Sequence, residues 1–111
     1  MAYNGNQKFK IARMPQWKDS FDVDLTFTTN KTLTDRDGYI QRLSNNSGNP
    51  IDVILPDGEN GDVYIISNAG NDNIVVKNAT GTTIGTIAGG KGHMFAYDVV
   101  NSSWYNLFLG N

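Results

Sequence analysis

Cysteine is absent from the chain. That excludes disulfides, thiolate metal sites and cysteine nucleophiles together. Histidine occurs once, at His93, and proline three times. No apolar run is long enough to span a membrane, so no membrane partner is expected. The first residues, MAYNGNQKFKIARMPQW, lack an apolar core of signal-peptide length. A soluble protein made in a cytoplasm is therefore expected. Four Asn-x-Ser/Thr matches, at Asn30, Asn45, Asn78 and Asn101, then read as turn chemistry rather than glycosylation.

Acidic residues are missing from one region. None precedes Asp19, whereas Lys8, Lys10, Arg13 and Lys18 all do. Residues 19–111 hold the other five cations and all eleven acids. A +4 segment is thus joined to a −6 body, and such asymmetry suggests an acidic partner for the segment. The pI of about 5.1 and the acidic body argue against nucleic acid as that partner.

What is present points to one all-β domain. The 111 residues suffice for a single modest core. Twelve glycines and many asparagines favour strands and turns. FDVDLTFTT places Phe21, Val23, Leu25 and Phe27 on one face, expected to be buried, and Asp22, Asp24, Thr26 and Thr28 on the other. Further strands are expected over 39–43, 51–55, 62–67, 73–77, 82–87, 93–99 and 102–108. Gly-, Asn- and Asp-rich turns separate them. About eight strands at intervals of roughly ten residues predict one antiparallel β-sandwich or jelly-roll-like domain over 21–111. No repeat is strict enough to name. Residues 1–20 have no strand or helix period, contain Pro15, and read as an extended basic arm. Their Phe9, Ile11, Met14 and Trp17 would dock on something.

Candidate chemistry is sparse. GTIAGGKG (85–92) fits a phosphate-binding loop at Gly85, Gly90 and Lys91 but puts Gly92 where the Mg²⁺-binding hydroxyl belongs, and no helix pattern follows. It reads instead as a hairpin turn between strands ending at Ile87 and starting at His93, with Lys91 at the tip. His93 has no nucleophile-elbow partner and reads as structural. DRDG (35–38) and DGENGD (57–62) could offer oxygen ligands to Ca²⁺, but lack the EF-hand spacing and are explained by turn formation. No catalytic residue, metal or cofactor site is expected. Trp104 and Tyr105 are neighbours in one strand, so one of them must face outward, towards solvent, a subunit or a ligand.

From Thr32 onward the chain carries an ordered run of turn and strand motifs. Thr32-Leu33-Thr34 opens into Asp37-Gly38. One strand ends in Leu55-Pro56, and Ile66-Ser67-Asn68-Ala69-Gly70 follows. Then come Ile74–Val76, Gly81–Ile84, a Gly-rich turn and a final Trp104 strand. Over roughly residues 32–107 this resembles β-rich modules of tailed-bacteriophage virion proteins, most of all small capsid decoration (cement) proteins. The resemblance implies a non-enzymatic virion component on the capsid surface, often a homotrimer. Its partners would be the major capsid protein and further copies of itself. Lys8, Phe9, Lys10, Ile11, Arg13, Met14, Trp17 and Lys18 would form the contact. The alternative is a head- or tail-fibre module that stacks a host-surface glycan on Trp104 or Tyr105.

Overall fold

Alternating apolar and polar residues, interrupted every few positions by Gly, Asn or Asp, build strands and nothing else in the part of the chain described. The computed structural model describes residues 21–26, 28–34, 36–58 and 62–108. Among these residues there is no helix, and so none long and apolar enough to cross a membrane. The strands are β1 (Phe21–Asp24), β2 (Lys31–Thr32), β3 (Ile40–Leu43), β4 (Ile51–Ile54) and β5 (Val63–Asn68). They continue with β6 (Ile74–Lys77), β7 (Thr83–Ile87), β8 (Gly92–Asp98) and β9 (Ser103–Phe108). All eight expected strands are present within a few residues. The two-residue β2 is additional and was too short to show a period.

The pairing departs from the antiparallel expectation. One sheet has five strands, β1-β3-β5-β8-β9, and the other four, β2-β4-β6-β7. From β1 to β6 the chain alternates between the sheets, so each strand pairs in parallel with the strand two ahead. Only β6–β7, β5–β8 and β8–β9 are antiparallel. The physical reason is the path of the connections from β1 to β6, not their length. Each carries the chain across to the other sheet instead of reversing it within one sheet, which places consecutive strands in different layers. The first two-thirds of the described chain is thus a parallel coil, and the last third closes it with hairpins.

A repeat does underlie the coil. Ile51 pairs with Ile74 and Val53 with Val76, an offset of 23 residues. At the same offset Ser44-Asn45 recurs as Ser67-Asn68, and Gly58 as Gly81. Asn45 and Asn68 are buried at equivalent corners. Each side-chain amide donates to the carbonyl four residues on and to one in the following turn of the coil. Asn45 Nδ2 reaches Asn49 O at 2.8 Å and Asn73 O at 2.7 Å. Asn68 Nδ2 reaches Asp72 O at 2.7 Å and Ile87 O at 3.0 Å. These bonds satisfy corner carbonyls that would otherwise be buried without a donor. The tripeptides at Asn45 and Asn78 serve as turns, as expected. Asn45 Oδ1 accepts from the Ser47 hydroxyl at 2.8 Å, and Asn78 Oδ1 from the Thr80 hydroxyl at 2.8 Å.

The core lies between the sheets. Leu43, Tyr64, Ile66, Phe95 and Trp104 come from the five-stranded sheet, and Ile51, Val53, Ile74, Val76 and Ile87 from the four-stranded one; Leu33 and Leu55 follow β2 and β4. Burying each such aliphatic side chain contributes roughly 1.5–3 kcal/mol.

The glycine-rich segment is not a hairpin. β7 and β8 belong to different sheets, so GTIAGGKG carries the chain from one to the other. Gly90 takes a left-handed φ of 80°, and its N–H donates to Asn68 O at 2.8 Å. A Cβ on Gly89 would stand 2.5 Å from Gly70 O, so only glycine permits this loop to lie on the Asn68 corner. Lys91 is partly covered, and its carbonyl accepts the Asn68 N–H at 2.9 Å.

Candidate interaction surface

β1 shows why the two faces of the five-stranded sheet must be considered separately. Phe21, Val23 and Leu25 were expected to be buried together. They are exposed instead, at 47%, 55% and 53%, and Phe27 lies outside the described residues. The inner side of this edge strand is taken by its acids. Asp22 is in register with buried Gln41. The Asp22 carboxylate accepts the Gln41 side-chain amide at 2.6 Å and the Gly38 N–H at 2.8 Å. Asp24 accepts the Thr26 N–H at 3.1 Å. Once polar pairing fixes the acids inward, the period of two sends the apolar row outward.

That row continues across the whole sheet. Register places Phe21, Ile40, Ile65, Met94 and Leu107 side by side, one from each strand. The adjacent row is Val63, Ala96 and Tyr105, and the row on the other side is Val23, Arg42, Ser67 and Gly92. Phe21 and Leu107, at the two edges, are about half exposed, and the three residues between them are half-buried. Arg42 is the one charged side chain among these residues. The outer face of the four-stranded sheet is different. There Asp52 and Lys77 form an ion pair at 2.9 Å, beside Val75 and Thr86. This apolar face is the candidate contact surface of the described residues.

Sequence reading missed this face, although a signal was present. VYII (63–66) and MFAY (94–97) are continuous apolar runs, the pattern of strands covered on both sides.

A second feature lies at one end of the sheets. The segment after β4, the β6–β7 turn and the β8–β9 turn enclose a cleft of about 490 Å³. Tyr97 and Trp104 form its aromatic wall, with Asp57, Thr80, Thr83 and Ser103 around it. The two rings meet edge to face, with centroids 5.2 Å apart, and Trp104 also packs on Tyr64 at 5.9 Å. Trp104 Nε1 donates to Pro56 O at 3.3 Å, which fixes the ring. Ser102, at the rim, has φ 51°, the one left-handed residue other than glycine among those described.

The residues singled out from sequence fall in different places. Of the neighbouring aromatics, Trp104 is buried and faces inward, while Tyr105 is half exposed on the outer face. The Tyr105 hydroxyl donates to Asp98 at 3.3 Å. The Asp98 carboxyl is held below the ordinary carboxylate range, chiefly by the Asn101 side-chain amide at 2.7 Å and also by the Val100 N–H and the Tyr105 hydroxyl. His93 is buried, with Nδ1 2.8 Å from Asn106 Oδ1 and its ring stacked on Phe95. In DRDG, Asp37 accepts the Thr34 N–H at 2.7 Å and so closes its own turn. Asp35 and residues 59–61 of DGENGD lie outside the described residues. So do Lys8, Phe9, Lys10, Ile11, Arg13, Met14, Trp17 and Lys18, and with them the whole arm. Among the described residues no three His, Asp or Glu side chains group as a metal site would require.

No protein-family model matches the chain, and no curated protein matches it. One solved structure, described as "Structure of a chaperone-substrate complex", aligns with 68% of this chain and 16% of its own at 17% identity. The TM-score of that alignment is 0.35, so the likeness carries no weight for fold or function.

Proposed function

We propose that the protein is a non-enzymatic structural component of a tailed-phage virion, made in the host cytoplasm and attached to the outside of the capsid as a decoration (cement) protein. We read its two facing sheets as a sandwich-like body. The observation that carries the proposal is the apolar row Phe21–Ile40–Ile65–Met94–Leu107 on the outer face of the five-stranded sheet. The resemblance of residues 32–107 to phage virion modules supports it. So does the +4 segment joined to a −6 body.

Magnitudes shape the mechanism. Five strands spaced about 4.8 Å apart, with three outward rows along them, cover on the order of 350 Å². A standard interface buries about 800 Å² per partner. The sheet face therefore supplies about half of a stable contact, and residues 1–20 with their cations and apolar side chains supply the rest. Assembly as a homotrimer, repeated over many capsid sites, multiplies a modest single contact into a durable one.

The test is co-sedimentation with empty capsids of the parent phage. Deletion of residues 1–18 is expected to weaken retention at least tenfold. Ile65→Lys with Met94→Lys is expected to do the same while leaving the isolated fold intact. Undiminished retention of both variants would sink the proposal.

A further inference from the structure

The apolar outer face belongs to the proposal above, but the cleft at the end of the sheets does not. We infer that this cleft is a binding site for a neutral carbohydrate, a short unsulfated and unsialylated oligosaccharide.

Its chemistry narrows the ligand class. The described lining contains no Lys, Arg or His, so a phosphate, sulfate or sialate would enter without a counter-charge. The −6 body would also repel such anions. One carboxylate, Asp57, is present, and it can accept from sugar hydroxyls. The rest of the polar lining is hydroxyl and amide: Asn78, Thr80, Thr82, Thr83, Ser102 and Ser103. Groups that both donate and accept at short reach suit a polyol. Partly exposed Tyr97, backed by the buried Trp104 ring, supplies the aromatic surface against which the C–H face of a pyranose packs. A volume of about 490 Å³ lies within the usual range for ligand clefts, roughly 300–1,000 Å³.

The site is also held in place. Its walls come from three separate segments of the chain. The Pro56 carbonyl fixes Trp104, and the Asn78 side chain ties together the β6–β7 turn through Thr80 and Thr82. Ser102 keeps a left-handed backbone that glycine would adopt at less cost, and such strain concentrates at binding sites. This inference stands apart from the virion reading, because none of these groups lies on the outer row of the five-stranded sheet.

The experiment is an amide-resolved NMR titration of the full chain. Its probes are neutral oligosaccharides of glucose, galactose and N-acetylglucosamine, with sialyllactose as the anionic comparison. Saturable shifts are expected at Thr80, Thr83, Tyr97 and Ser103 for at least one neutral probe. Thr83→Trp, which fills the mouth from an exposed position, should weaken that binding at least tenfold. Ser103→Trp is an independent second block should the first variant fail to fold. Four results would overturn the inference: no saturable shift at millimolar sugar, shifts elsewhere on the surface, tighter binding of sialyllactose, or unchanged binding by a folded blocked variant. Capsid retention of the same variants stays normal in every case, so this inference and the attachment reading fail separately.

Discussion

The parallel coil and the antiparallel end that closes it are joined in one core, yet they solve the same problem with different chemistry. In the coil, the crossings from β3 to β4 and from β5 to β6 turn backbone carbonyls inward. Buried asparagines at 45 and 68 satisfy them. At the closing end, β8 and β9 reverse within one sheet, and aromatic side chains fill the space instead. Trp104 packs ring against ring with Tyr97 and with Tyr64 of the coil, and polar tips bond to coil carbonyls. Tyr64 donates to Thr34 O at 2.9 Å and Trp104 to Pro56 O. A crossing creates unmet hydrogen-bonding groups and needs small polar side chains of fixed geometry. A hairpin meets its own groups and leaves volume to fill.

Three substitutions test that contrast. The largest effect is expected at the closing end. Trp104→Ala removes a buried ring and leaves Tyr64 and Tyr97 without their shared neighbour. It should cost about 3–5 kcal/mol, read as a lower urea midpoint. A smaller cost would mean that the aromatics do not hold this end. Next comes the coil. Asn68→Ala leaves the Asp72 and Ile87 carbonyls and the Gly70 N–H without their side-chain partner, at a cost of about 2–3 kcal/mol. Asn45→Ala should cost somewhat less, because its corner is more open to water. Equal costs at the two corners would contradict this ranking.

The smallest effect concerns the β8–β9 turn and depends on pH. The folded Asp98 carboxyl titrates below its ordinary value, so its contribution to stability is present above the unfolded value of about 3.9 and is lost as pH falls through the folded one. Asp98→Asn should therefore lower the melting temperature slightly at pH 7. The gap to the parent protein should close towards pH 2. A gap that persists at pH 2 would assign the effect to geometry rather than charge.

Much of the fold is legible in the chain. The eight longer strands and their turns follow from alternation and from Gly, Asn and Asp. Strand existence is a local property, and each segment carries its own signal. Pairing is not local. Antiparallel and parallel strands share the same period of two, and only the path of each connection distinguishes them. The 23-residue repeat was readable in Ser44-Asn45 and Ser67-Asn68, but its two copies share few other residues. The candidate surface was the least legible part. FDVDL reads as a strand with an apolar inner face until Gln41 is seen opposite Asp22.

Composition and short-range periodicity suffice to specify an all-β chain, its strand positions, most of its turns and the +4 and −6 halves. Tertiary structure alone decided three further things. It set which strands pair in parallel, because that depends on where each crossing lands. It set which side of β1 faces the core, because a distant Gln41 competes with the hydrophobic effect for the inner position. It also assembled a cleft from residues near 57, 80 and 103, which no local pattern connects.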